Sequence, residues 1–324
     1  MRRGGALAMF HDLAPAEESF RDAVLASLTR RPKSIPCRFL YDERGSALFE
    51  GICELPEYYL TRAEMSILGE RSSEIARLVG RDAQLIEFGS GSSRKVRLLL
   101  EALEHPAAYV AIDISRELLR QSADELAGEF PEVAVVAVCA DYLQPFRLPA
   151  LPQRGEGRRL GFFPGSTIGN FTPDEALDFL VGCRRVLGRG DAMLVGVDLK
   201  KDPSLLDAAY NDSAGVTAQF ILNLLERMNR ELGADFDLDR FELDAFYNEA
   251  AGRIEIYIKS LADQIVTVAG RAIRFTAGER IHAEYSYKYS VAEFQRLARR
   301  AGFRPVQHWT DRGELFSVHL FAVD

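Results

Sequence analysis

The sequence has few of the residues that would announce a special chemistry. Its four cysteines, Cys37, Cys53, Cys139 and Cys183, are scattered and form no C-x-x-C pair. That spacing excludes a disulfide framework and a thiolate zinc site. The five histidines, His11, His105, His282, His308 and His319, show no ligand spacing either, so no metal is expected. No apolar run approaches the roughly 20 residues that span a bilayer. The opening MRRGGALAMF carries basic residues, but its apolar part is short and His11-Asp12 follows at once, unlike a secretory signal. Basic residues are outnumbered: 40 Lys and Arg against 48 Asp and Glu give a formal net charge of −8. Phosphate neutralisation dominates nucleic-acid affinity, so an acidic chain without a basic run is a poor candidate for it. The expectation is a cytoplasmic monomer acting on small molecules, with no nucleic acid and no membrane as partner.

What is present is a core-forming chain. Over 324 residues, 47% are hydrophobic and 27% charged, which suits one large domain or two. From Arg62 onward helices and strands alternate. Arg62–Val79, Ser93–Leu103, Arg116–Glu129 and Pro173–Leu187 read as helices, the last with Thr172 as N-cap. Gln84–Phe88, Ala108–Ile112, Val133–Val138, Leu160–Phe163 and Ala192–Val197 are short apolar runs. Apolar strands separated by helices imply a parallel sheet covered on both faces, an α/β fold. The polar stretch Pro152–Arg159 reads as a loop between elements. At the C-terminus, helix Val291–Ala301 precedes strands Pro305–Trp309 and Phe316–Val323, joined by a turn at Asp311–Gly313. A helix followed by a closing hairpin is the usual ending of the class I methyltransferase sheet, a Rossmann-like fold.

Two regions do not belong to that sheet. Pro36–Tyr59 lacks a βαβ pattern and is rich in aromatics. Ser204–Leu232 is largely helical, and Arg253–Leu261 and Ile281–Tyr289 alternate with period two, each with one face buried. The expected division is therefore a Rossmann-like domain of residues 62–198 plus 287–324, and a substrate-binding lobe of residues 1–61 plus 199–286.

The stretch LIEFGSGSSRK, Leu85–Lys95, follows the first parallel strand. Gly89 and Gly91 let backbone approach a ligand, and a helix N-terminus offers amides to it. Asp113 ends the second strand, 22 residues after Gly91, where a carboxylate can bind both ribose hydroxyls. NAD and S-adenosylmethionine both fit so far. Glu87 just before the glycines gives the E-x-G-x-G form of methyltransferases. The third glycine of the dinucleotide pattern is replaced by Arg94, and Asp141, in VCADY, stands where a carboxylate can accept from an adenine amino group. These details favour S-adenosylmethionine, with S-adenosylhomocysteine as product.

Beyond the fourth strand, FFPGSTIGNF (Phe162–Phe171) presents carbonyls and one amide side chain to a small polar acceptor. Together with YDERGSALFEGICELPEYYLTRAE, LIEFGSGSSRKVRLLL, YVAIDIS and AYNDSAGVTAQF, it resembles the L-histidine Nα-methyltransferase family of ergothioneine biosynthesis, over nearly the whole chain from about Phe20. The resemblance implies a two-lobe fold and trimethylation of histidine to hercynine by three molecules of S-adenosylmethionine. It also implies roles for particular positions. Glu87, Gly89, Gly91, Lys95, Asp113, Asp141 and Tyr142 would contact the cofactor. Phe49, Tyr58 and Tyr41 would line the amino-acid pocket, Tyr41 with its hydroxyl near the amine. The Gly165 carbonyl and Asn170 would face the amino group and carboxylate, Tyr210 would bind the carboxylate, and Glu284 and Ser286 would hold the imidazole. Ile256 stands near a position where the family commonly has methionine, which bears on side-chain selectivity. Methylation of another amino acid, such as tryptophan, is the alternative, followed by a non-catalytic S-adenosylmethionine-binding protein.

The residues fit those roles chemically. Glu284 and Ser286 are two apart on an alternating strand, so both point to one face. A carboxylate and a hydroxyl can read the two ring nitrogens of one imidazole. The amine must be neutral to attack a sulfonium methyl, and an α-amino group titrates at about 8, so positioning rather than a strong base is expected to dominate.

Overall fold

The computed structural model describes residues 7, 9–13, 19–91, 93–151 and 157–324. The basic opening stretch through residue 6, Ser92 of the glycine loop and residues 152–156 of the expected polar loop lie outside these. In chain order the elements are β1 (Met9–Asp12), α1 (Phe20–Leu28), β2 (Lys33–Ser34), α2 (Glu43–Glu54), α3 (Tyr59–Val79), β3 (Gln84–Phe88), α4 (Arg94–Ala102), β4 (Ala108–Asp113), α5 (Arg116–Glu129), β5 (Ala134–Cys139) and β6 (Arg159–Phe163). There follow α6 (Pro173–Val186), β7 (Ala192–Asp198), α7 (Pro203–Tyr210), α8 (Val216–Leu232), β8 (Phe241–Asn248), β9 (Arg253–Ser260), β10 (Gln264–Val268), β11 (Arg271–Phe275), β12 (Arg280–Tyr287), α9 (Val291–Arg300), β13 (Phe303–Thr310) and β14 (Phe316–Val323).

The chain divides into two compact units. One comprises Met1–Ala16, Arg62–Leu199 and Tyr289–Asp324; the other comprises Glu17–Thr61 and Lys200–Lys288. In the first, the strands form one sheet in the order β1-β5-β4-β3-β6-β7-β14-β13. All neighbours from β1 to β7 are parallel, and β14 and β13 close the edge antiparallel. Buried parallel strands need apolar residues on both faces, and β3 and β7 are buried at every position. Helix α6 begins with a capping box, Thr172 and Glu175 each accepting from the other's backbone, as its T-P-D-E start requires.

One boundary differs from the sequence reading, which placed residues 1–61 together in the second lobe. Strand β1 instead pairs with β5 at the sheet edge, Met9 opposite Val136 and Asp12 opposite Cys139. Its four residues are half-buried at best and carry no hydrophobic period. The backbone ladder recruits them, and a ladder leaves no side-chain pattern to read.

The second unit has a four-stranded sheet in the order β2-β12-β9-β8, a separate β10-β11 hairpin, and helices α1, α2, α7 and α8. Helix α8 buries Phe220, Ile221, Leu224, Leu225 and Met228, an i, i+4, i+8 stripe, and packs along α2. Among the described residues no helix is long and apolar enough to cross a membrane, and no His, Cys, Asp and Glu cluster is arranged to hold a metal.

Candidate active site

Strand order in the first unit reverses at β3, which lies between β4 and β6. Ligands of open α/β sheets bind beyond the carboxyl ends of the strands at such a switch. The loops that follow β3, β4, β5 and β6 there carry the candidate residues. Gly89 has φ +79°, a conformation that favours glycine, and its N–H and that of Ser90 both donate to the Ile112 carbonyl, at 2.8 and 3.2 Å. Gly91 is exposed, and a Cβ there would meet nothing within 4 Å. Its value is therefore open space in front of the loop. Among the described residues Ser90 Oγ is buried with no hydrogen-bond partner, and Ser93, the N-cap of α4, gives no side-chain cap. Unpaired donors at a helix N-terminus suit a polar ligand.

Acidic groups sit at successive strand ends. Glu87 is fully buried, and burial pushes its carboxyl up to about 8 although Tyr109 donates a hydrogen bond to it at 2.5 Å. Asp113 closes β4; burial raises its carboxyl, while the Ser115 N–H donates to it at 2.9 Å. Asp141, after β5, accepts the N–H of Leu143 at 2.9 Å. The neighbouring Tyr142 ring packs edge-on against Phe163 and Phe179, at 6.0 and 5.8 Å, and a Cβ on Gly89 would lie 3.5 Å from it. Glu87, Gly89, Asp113, Asp141 and Tyr142 thus share one end of the sheet.

Lys95, in the first turn of α4, is held by a residue the sequence reading missed. Glu64 of α3 is buried, and its carboxylate pairs with the Lys95 ammonium at 2.7 Å. The same carboxylate accepts the Gly165 N–H at 2.8 and 3.1 Å. Gly165 has φ +79°, and Ser166 after it is left-handed at +56°. Ser166 Oγ accepts the Asp198 N–H at 2.9 Å, and Thr167 Oγ1 donates to the Pro164 carbonyl at 2.9 Å. Asn170 ends the 3-10 turn Thr167–Asn170. Glu64 therefore ties the first turn of α4 to the loop after β6. The signal was present: Leu60, Ala63, Ile67 and Leu68 form the apolar stripe of α3, and a glutamate stands inside it.

The second unit assembles the other candidates. Asp42 caps α2, accepting from the Gly45 N–H and from Asn223 of α8, each at 2.8 Å; Tyr41 precedes this cap and Phe49 lies within the helix. Tyr41 and Phe49 lie 5.6 Å apart, both against Phe220 at 5.5 and 5.9 Å. Phe49 continues to Tyr58 at 6.4 Å, and Tyr58 to Tyr210 at 6.1 Å. Tyr210 Oη is 2.9 Å from Ser286 Oγ. The expected pocket residues are one connected set.

Glu284 and Ser286 are buried, so they do not form a wet outer face. In the β9–β12 ladder Glu284 stands opposite Ile256 and Ser286 opposite Ile254. Both polar groups therefore project from the face that carries Ile254, Ile256 and Ile258. A register shift between His282 and Glu284 makes this possible, because Ile281 pairs with Ile258 on the same face. Burial pushes the Glu284 carboxyl up to about 7 against the pull of Lys288. Lys288 is the second residue the sequence reading missed. It is buried, and its ammonium donates to Ser286 Oγ at 2.8 Å and to Tyr210 Oη at 2.9 Å. Its signal was the next step of the same alternation, Glu284, Ser286, Lys288.

Residues 20–323 match the model of a family described as histidine-specific methyltransferase, SAM-dependent. A histidine N-alpha-methyltransferase of Mycolicibacterium smegmatis is 41% identical, over 94% of this chain and 95% of that protein. Ergothioneine biosynthesis protein 1 of Neurospora crassa is 37% identical over 90% of this chain, which spans 33% of that longer protein. An N-methyltransferase of Aspergillus fumigatus, fsqC, is 26% identical over 94% of this chain and 83% of its own length. With the sheet order, the E-x-G-x-G loop and a match along nearly the entire sequence agreeing, the chain belongs to the S-adenosylmethionine-dependent, histidine-specific methyltransferases.

Proposed function

We propose that this protein methylates the α-amino group of L-histidine three times, giving hercynine for ergothioneine biosynthesis. The observation that carries the substrate assignment is the buried pair Glu284 and Ser286, set on an isoleucine-lined face with Tyr210 and Lys288. A buried carboxylate beside a buried hydroxyl matches a ring with one N–H and one unprotonated nitrogen. The indole of tryptophan offers one N–H and no ring acceptor, so it can engage only one of the two groups. Ile256 opposite Glu284 shapes the ring's apolar flank without altering polarity. The reading includes the first unit as donor domain, the second as substrate-binding lobe, and a cytoplasmic monomer whose partners are small molecules.

The first unit's residues fit the donor. Gly89, the unpaired Ser90 Oγ and the α4 N-terminus accommodate a carboxylate-bearing chain; Asp113 suits ribose hydroxyls; Asp141 and Tyr142 suit the adenine. Bound there, S-adenosylmethionine supplies an electrophilic methyl group. Glu87 and Lys95 shape the site from behind, through Tyr109 and Glu64 respectively. For the acceptor's polar end, the family resemblance implies the Gly165 carbonyl and the Asn170 side chain. Tyr41, Phe49 and Tyr58 surround the nitrogen, which gains fixed positive charge with each methyl, and aromatic faces stabilise such a cation by about 0.5–2 kcal/mol. Near neutral pH an α-amino group is within about one unit of its pKa, so water can take its proton. Tyr41 orients the lone pair.

The test is incubation of the purified protein with S-adenosylmethionine and each of the twenty amino acids separately, with products read by mass. Histidine should gain three methyl masses. Absence of any histidine product, or a comparable yield from tryptophan, would overturn the assignment.

A further inference from the structure

Strand β8 ends the sheet of the second unit, and among the described residues its one strand partner is β9. An edge strand leaves a row of N–H and C=O groups unpaired, and these need cover. Helix α7 supplies it with two side chains. The Asp207 carboxylate accepts the Tyr247 N–H at 2.6 Å, and the Asn211 side-chain amide donates to the Ala245 carbonyl at 3.1 Å. A carbonyl and the N–H two residues on are the groups that one residue of a parallel partner strand would engage. Asp207 and Asn211 together stand in for that residue. The Asn211 amide also donates to the Asp207 carbonyl at 2.8 Å, which closes the last turn of α7.

Both anchor points on β8 are in register with the candidate ring-binding groups. Ala245 lies opposite Ile256, and Ile256 opposite Glu284. Tyr247 lies opposite Ile254, and Ile254 opposite Ser286. The two side chains thus grip the sheet on the rows that carry Glu284 and Ser286. Tyr210 falls between them in sequence, and its Oη is 2.9 Å from Ser286 Oγ and 2.9 Å from Lys288 Nζ. Strands β8 and β12 are two strand spacings apart, about 10 Å, so Tyr210 reaches inward from the sheet edge. A slide of α7 along β8 would carry that hydroxyl away from Ser286. The helix has eight residues, too few to hold its place by its own stability.

We propose that Asp207 and Asn211 are positioning residues for the acceptor: by fastening α7 to two rows of β8, they fix where Tyr210 stands in the pocket. This rests on the reading that the acceptor lies at Glu284 and Ser286 with Tyr210 beside them. Neither Asp207 nor Asn211 has to touch the acceptor. Each position has one permitted polarity, because the edge N–H needs an acceptor and the edge carbonyl needs a donor. Asp207→Asn keeps an oxygen for the Tyr247 N–H. Asn211→Asp sets a carboxylate oxygen against the Ala245 carbonyl.

The test is steady-state methylation of histidine by these variants, with thermal melts as the folding control. Asp207→Ala and Asn211→Ala should each raise the histidine KM at least fivefold, with kcat changed less than threefold and the S-adenosylmethionine KM changed less than twofold. Asp207→Asn should stay within twofold of the wild type, and Asn211→Asp should be worse than Asn211→Ala. In a Tyr210→Phe background, itself raised in histidine KM, Asp207→Ala should add less than twofold. Should the alanine variants not fold, Asp207→Glu, which keeps the carboxylate but lengthens it by one methylene, should raise the histidine KM at least threefold. An unchanged histidine KM in the alanine variants, or in Asp207→Glu where these do not fold, would overturn the proposal while leaving the acceptor site in place. So would equal rises in both substrates' KM, or a full further loss on top of Tyr210→Phe, since either marks a merely structural contact. An unchanged histidine KM in Tyr210→Phe, Ser286→Ala and Glu284→Gln alike would overturn the acceptor's placement, and the proposal with it.

Discussion

Replacing Glu64 with alanine tests whether the carboxylate between α3 and the two loops holds the first unit together. The pair it forms with Lys95 is largely dry, with side-chain exposures of 1% for Glu64 and 15% for Lys95. Removing one partner of a buried pair costs about 3–5 kcal/mol, because the other charge stays behind without compensation. The residual exposure of Lys95 argues for the lower end. The Gly165 N–H also loses its acceptor, at about 1–3 kcal/mol when buried. These terms overlap, and about 4 kcal/mol is a fair total, or a drop of about 10 °C in melting temperature for a unit of this size. Glu64→Gln keeps an oxygen for the Gly165 N–H and should cost about half as much. Two further variants check the cause. Lys95→Met added to Glu64→Ala should recover stability by removing the stranded cation. Gly196→Ala should reproduce the defect from the other side, since its Cβ would fall 2.0 Å from Glu64 Oε1. Thermal melts with S-adenosylmethionine binding as a second readout decide the matter. A Glu64→Ala loss under about 1 kcal/mol, or a Lys95→Met change that only adds to it, would refute the reasoning.

Other perturbations have expected outcomes of their own. Glu87 is held up at about 8 by burial, so the folded state keeps a proton that the unfolded chain releases near 4.5. Its contribution is full below pH 4.5 and is lost as pH rises to 8, at up to about 1.4 kcal/mol per unit. Glu87→Gln should flatten the decline of stability over that window in urea titrations at several pH values. For Glu284, raised to about 7 by burial, the ionised form is the acceptor of a ring N–H. The histidine KM should therefore fall as pH rises through 7 and then level, and Glu284→Gln should abolish that limb. Tyr41→Phe and Phe49→Ala should release mono- and dimethylated histidine, seen by mass during turnover. Clean trimethyl product from both would exclude an aromatic role in retaining the intermediates.

How far the sequence could be read depended on what each element buries. Strands β3 to β7 were legible because parallel strands covered on both faces are continuous apolar runs. Strand β8, FELDAFYN, was not, since its positions are mostly half-buried and show no clean period. The short β10 and β11 read equally poorly, pairing only with each other. Among the candidate residues, those on glycine loops and in aromatic clusters stand out in the sequence. Glu64 and Lys288 do not, because an interior charge has the same letter as a surface one, and only its partners set it apart.

The hardest case is β12. Strict alternation through IHAEYSYKY puts Ile281 on one face and Glu284 on the other, which would leave either the isoleucine in the open or the carboxylate outside the apolar layer. The extra residue between His282 and Glu284 removes the conflict. Ile281 opposite Ile258 and Glu284 opposite Ile256 then share a face, Ser286 opposite Ile254 continues it, and the Lys288 ammonium reaches Ser286. A bulge is an extra residue that period-two counting cannot see, and such bulges commonly re-aim side chains beside functional sites. Here the shift places a carboxylate, a hydroxyl and an ammonium inside a layer otherwise built of isoleucine. Tyr210 from α7 gives the hydroxyl and the ammonium hydrogen-bond partners, and the Lys288 charge works against the cost of burying the carboxylate. The ring-reading chemistry proposed for β12 thus depends as much on one inserted backbone residue as on the side chains that carry it.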